Sequence, residues 1–171
     1  MKKLLCPVCS NDRFRREMTK EDLNTKYHLI RCTRCSLVFV NPIPEQGDLK
    51  KYYNEIYSVP LHQQEKVKKK GKKMLYHARA YGLPAKAKIF EIGSSHGFFL
   101  NEAKSQGYEV NGVELSKDAV SKAKKRFDID IENKLFHESK AYKKKNTYDM
   151  VVLFDVLEHL NEPKEIVGGI S

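Results

Sequence analysis

Apolar positions in this chain gather in short blocks between polar, lysine-rich stretches, and the clearest blocks lie in the second half. Lys88 to Leu100, KIFEIGSSHGFFL, predicts a buried strand over Ile89 to Ile92, a tight turn from Gly93 to Gly97, and a helix from Phe98 to Gln106 closed by Gly107. Tyr108 to Glu114, YEVNGVE, reads as a second strand. Ser116 stands where a helix cap belongs, with Asp118 in the first turn and Ala119, Val120, Ala123 and Phe127 as the buried side. Asp128 to Ile131 is a candidate third strand. Met150 to Phe154, within YDMVVLFDVLEHL, is an uninterrupted apolar run, as a parallel strand covered on both faces requires. Strands alternating with helices in this way predict an α/β fold with a parallel sheet.

The first half is less regular. Glu17-Met18, Tyr27 to Arg31 and Leu37 to Val40 have the character of short strands, ended by Asn41-Pro42-Ile43-Pro44. Leu49, Tyr52, Tyr53 and Ile56 have helical spacing, with Tyr57 close behind. Lys66 to Lys73 holds six lysines in eight residues, broken by Val67 and Gly71. It predicts the exposed face of a helix reaching about Tyr81, with Met74, Leu75, Ala78 and Tyr81 as the buried side and Gly82 and Pro84 as the stop. The organisation expected is a small module over residues 1–44, a helical connector over 45–87, and an α/β half over 88–171.

Charge sharpens this division. The net charge is +10, of which +5 falls in residues 1–44, +5 in 45–82 and none in 83–171. An anionic partner on the basic side is one reading, and a solvated lysine-rich face is the other. No apolar run is long enough to span a bilayer, and the basic N-terminus has no apolar stretch of secretory type, so a cytoplasmic protein without a membrane partner is expected. All four cysteines fall in two C-x-x-C pairs, Cys6 with Cys9 and Cys32 with Cys35. Two such knuckles aim four thiolates at one point, the pattern of a closed structural Zn2+ site in a zinc-ribbon-like module.

The Gly93 turn holds the candidate chemistry. A dinucleotide fingerprint counted from Gly93 would need glycine at 95 and 98, where the chain has Ser95 and Phe98. Glu91, two residues before Gly93, would repel a pyrophosphate and attract a cation such as the ammonium and sulfonium of S-adenosylmethionine. Glu114 lies 21 residues after Gly93 at the carboxyl end of the second strand, where an acid accepts hydrogen bonds from ribose hydroxyls. That role suits S-adenosylmethionine and NAD alike. Glu158 and His159, just past the apolar Met150–Phe154 run, are an adjacent acid and imidazole and are candidates for taking a proton from a substrate. The alternative for His159 is a packing or capping role in its turn.

The stretch Glu91-Ile92-Gly93-Ser94-Ser95-His96-Gly97 resembles the first motif, [ED]-x-G-x-G-x-G, of the class I S-adenosylmethionine-dependent methyltransferases, with Ser95 in place of the middle glycine. Asp155-Val156-Leu157-Glu158-His159 is similar to the turn after the fourth strand of that family, and the two motifs stand in the family's order. The resemblance implies a Rossmann-like sheet with Glu91, Gly93, Ser95, Gly97, Glu114, Leu115, Phe154 and Asp155 around the cofactor. It also implies that the tyrosines of the connector help to cover the active site. The family's sheet has seven strands in the order 3-2-1-4-5-7-6; four are found here, so the C-terminal strands are expected to be missing and the fourth strand to form an open edge. Three functions follow: methylation of a small anionic metabolite such as a nucleotide-linked sugar, methylation of RNA guided by the zinc ribbon, or a non-catalytic zinc-ribbon binding module with a degenerate cofactor domain.

Overall fold

The computed structural model describes residues 3–22, 25–42, 61–160 and 162–170. Leu49, Tyr52, Tyr53, Ile56 and Tyr57 lie outside the described residues.

The N-terminal module is an antiparallel sheet of β1 (Phe14–Asp22), β2 (Thr25–Cys32) and β3 (Val38–Asn41), with β2 in the centre. A bulge between Arg16 and Met18 shifts the β1–β2 register. Its strands are mostly polar. Glu17 receives Arg15 and Arg31 at 2.9 and 2.8 Å, exposed pairs that add little stability. Among the described residues of the module, Cys6, Ile30 and Cys32 are buried, and Phe14 meets Phe39 edge-on at 5.6 Å. So small a core does not sustain a fold of this size without a cross-link.

The second sheet is parallel, in the order β6 (Ile131–Glu132), β5 (Glu109–Val113), β4 (Lys88–Ile92), β7 (Met150–Leu153). This is the expected 3-2-1-4 arrangement. Alternation along β4 sends Ile89 to one side, where it clusters with Leu75, Phe99, Leu100, Ala103 and Val152, and Phe90 and Ile92 to the other, with Val113, Phe136, Ala141 and Ile166. Among the described residues β7 pairs with β4 alone. Among them, too, no helix is long and apolar enough to cross a membrane.

The lysine-rich helix α1 (Leu61–Ala80) forms where expected, but its buried side differs. Leu75 is fully buried, whereas Met74 is 38% and Tyr81 91% exposed. The contact stripe runs instead through Val67, Gly71 and Leu75, one helical turn apart each time. Gly71 is buried against Phe99 of α2 (Phe98–Ser105), and a Cβ there would lie 2.9 Å from the Phe99 ring. Absence of a side chain, not an apolar one, lets the two helices approach.

Helix α3 (Lys117–Phe127) starts at Ser116, whose Oγ accepts a hydrogen bond from the Ala119 N–H at 3.3 Å. We expect Ser116→Ala to lower unfolding stability by about 1 kcal/mol, measured by chemical denaturation. The third strand is shorter than expected. Asp128 is the left-handed cap of α3 at φ 50°, and the strand begins only at Ile131. Residues 132–147 contain a 3-10 turn over Phe136–Glu138, and a last helix, α4, spans Pro163–Gly168.

Candidate functional site

Because β4, β5 and β7 run parallel, the segments that follow them gather at one end of the sheet. After β4, the chain turns through Gly93 at φ 75°, and the N–H groups of Gly93 and Ser94 both donate to Val113 O, at 2.9 and 3.0 Å. The Ser94 hydroxyl, buried, donates to Glu91 O at 2.9 Å. These bonds fasten the turn to β5. Gly97, also in the left-handed region, is the N-cap of α2. A Cβ on Gly93 would come within 2.5 Å of a Val156 methyl, so the two motifs meet at this glycine.

Glu114 sits just beyond β5. Its carboxylate accepts from the Ser95 N–H and the Ser116 N–H, one on each oxygen and both at 2.8 Å. Asn133 supports the same loop by donating to the Glu114 and Leu115 carbonyls, both at 2.9 Å. Burial raises the Glu114 carboxyl above its ordinary range, partly opposed by the N–H groups of Ser116, Ser95 and Leu115. Glu91 is only 3% exposed, and its Oε2 has no hydrogen-bond partner among the described residues. Burial first, and the charge of Glu114 second, push it well above the usual carboxylate range. His96 in the turn is lowered by burial and then by Lys122.

At the end of β7, Phe154 packs edge-on to Phe99 at 5.1 Å and lies under Lys70 Nζ at 4.8 Å. Asp155, at φ 54°, receives the same Nζ at 3.3 Å on both oxygens. One member of the lysine run thus reaches the site. Glu158 and His159 lie in the 3-10 turn Leu157–His159, both exposed, with the His159 N–H donating to Val156 O at 2.9 Å.

In the N-terminal module the Sγ atoms of Cys6, Cys9, Cys32 and Cys35 all lie within 4.8 Å of one another. Cys6 and Cys35 sulfurs are 3.5 Å apart and those of Cys9 and Cys32 3.6 Å apart. A tetrahedral ion with Zn–S bonds of about 2.3 Å places sulfurs about 3.8 Å apart, so the set fits one. Burial disfavours the Cys32 thiolate, but N–H groups of Cys35 and Arg34, with Cys9 and Asn11, outweigh it and bring the thiol down to about 6. At Cys35 the Leu37 N–H lowers the thiol, while burial and the neighbouring sulfurs of Cys9, Cys6 and Cys32 push it up to about 12. Four sulfurs this close hold several negative charges only with a cation among them.

A family model described as a methyltransferase domain matches residues 61–171. The chain belongs to the methyltransferase domain family. Its fold is that of the class I enzymes. Magnesium protoporphyrin IX methyltransferase from Synechocystis PCC 6803, solved with bound SAM, superposes with a TM-score of 0.54 at 15% identity over 72% of this chain and 69% of that one. The plantazolicin methyltransferase BpumL, solved with a monoazolic desmethylPZN analog and SAH, gives 0.55 at 14% identity over 74% and 48%. The chain therefore spans between about half and two thirds of those structures' lengths. No curated protein matches the sequence.

Within this methyltransferase domain the expected residues fall at one end of the sheet. Glu91 and Glu114 are both buried, Ser95 bonds Glu114, and Gly93 meets Val156. Sequence reasoning missed Asn133, Ser116 as a second donor to Glu114, and Lys70. Asn133 acts through bonds across a sequence gap that no motif records, and Ser116 through its backbone N–H two residues from Glu114, which side-chain identity does not signal. Lys70 was hidden among identical neighbours.

Proposed function

We propose that the chain transfers a methyl group from S-adenosylmethionine to a small anionic metabolite, a nucleotide-linked sugar or a compound of like charge, and holds a structural zinc in its four-cysteine module. The observation that carries the cofactor reading is the buried Glu91 carboxylate with an unpartnered oxygen at the end of β4. A cationic ligand supplies what that oxygen lacks. Glu114 uses one acceptor site on each oxygen for Ser95 and Ser116, and a second remains on each for a pair of ribose hydroxyls. The Gly93–Gly97 turn, Leu115, Phe154 and Asp155 complete the surround. The cofactor supplies an electrophilic methyl on sulfur. Of the chain's own groups, the His159 imidazole accepts a proton from the acceptor, with Glu158 beside it. We expect Glu114→Ala to weaken S-adenosylmethionine binding by about 1–3 kcal/mol, seen in calorimetry.

An anionic acceptor is supported by charge: residues 1–82 carry the whole excess of +10, and Lys70 stands at the site itself. To test the acceptor class, labelled S-adenosylmethionine is offered with a panel of nucleotide-linked metabolites and with structured RNA, across a salt series. Transfer to the panel is expected. Transfer to RNA alone, with affinity falling by a logarithmic salt slope of about −0.7 per phosphate contacted, would reverse the assignment.

A further inference from the structure

We propose that Glu91, buried beside Glu114, is a proton-linked cation site, which holds a proton without ligand and releases it when S-adenosylmethionine binds. The proposal rests on the cofactor reading above. Glu91 stands in β4 opposite Gly112 of β5 on one side and Val152 of β7 on the other. Glu114 is two residues past Gly112, so the two carboxylates end adjacent strands at the same edge. Glu91 is 3% exposed with Oε2 unpartnered, while both Glu114 oxygens already take backbone N–H groups.

The ionisable groups around Glu91 are few. From β5 comes Glu114, whose charge opposes ionisation of Glu91. From β7 comes Val152, and α2 turns Phe99, Leu100 and Ala103 into the same cluster. His96 of the turn is under the influence of Lys122, Asp118 and Arg126 of α3. Lys70 of α1 is engaged by Asp155, and Lys72 by Glu102 of α2. Among the described residues, then, no cation is placed against Glu91. Two carboxylates in a dry region do not both ionise at ordinary cost. Glu114, with two N–H donors, is the better anion, so the proton resides on Glu91. A sulfonium and an ammonium brought into the region reverse the balance, and the proton leaves to solvent.

Calorimetric titration of the full chain with S-adenosylmethionine, in buffers of different ionisation enthalpy between pH 5 and 8, counts protons directly. A release approaching one proton per cofactor is expected, with affinity rising about tenfold per pH unit where release is complete. Glu91→Gln should bind more weakly, with an affinity that no longer rises with pH and no proton released, and Glu91→Asp should restore part of the release. Binding to the wild type with no proton released at any pH overturns the linkage and leaves the cofactor reading standing; absence of binding at every pH overturns both. Without ligand, the sign is opposite. A raised folded-state pKa means that stability falls as pH rises above the unfolded carboxyl value of about 4.3, so Glu91→Gln should flatten the melting profile there.

Discussion

Removing the metal from the four-cysteine module with a strong chelator is expected to unfold residues 3–42 while the parallel sheet keeps its structure. The buried residues described in this module are Ile30 and two of the ligand cysteines, and its strands carry mostly exposed polar side chains. With so little apolar burial, a bound ion would be the cross-link that offsets the entropy of ordering the chain, and its binding energy would become folding energy. Cys32→Ser should act like the chelator, because Cys32 is the buried sulfur on which the Asn11 amide and the Arg34 N–H converge. Elemental analysis should give about one zinc per chain. Circular dichroism showing an unchanged antiparallel signal in metal-free protein would refute the assignment.

The second large effect is expected at the turn after β7. His159→Ala should slow methyl transfer by about 10²- to 10⁴-fold and leave cofactor affinity as it was. His159 is exposed and lies in the 3-10 turn that follows Val156, the residue that meets Gly93. Single-turnover rates with saturating cofactor separate the two readings. A variant that binds and transfers at the wild-type rate would return His159 to the turn's structure alone.

The parts that the sequence disclosed are those where one residue type admits few uses. Paired C-x-x-C knuckles, a carboxylate ahead of a left-handed glycine, and an unbroken apolar strand each point to one local geometry. The order of the parallel strands came from the family resemblance that two of these features carry. Where the reading failed, packing did not depend on hydrophobic letters. Met74 and Tyr81 have the chemistry of a buried face, but Gly71 fixes which side of α1 meets Phe99 and so rotates them into solvent. Asp128-Ile129-Asp130-Ile131 alternates like a strand, yet its first residue ends α3 in a left-handed cap. The bond of Asn133 to the Glu114 carbonyl joins positions whose proximity only the sheet creates, and the Ser116 N–H meets the Glu114 carboxylate in a local turn that no side-chain pattern marks.

The double grip of Glu114 on Ser95 and Ser116 bears on the kinetics of ligand capture. One carboxylate holds two backbone segments, the turn after β4 and the entry to α3, in the positions that a nucleoside would meet. Few backbone torsions are left to freeze on association, so little entropy is lost there at encounter. Differences in affinity among ligands at this end of the sheet should accordingly appear in their residence times, with arrival rates nearly uniform.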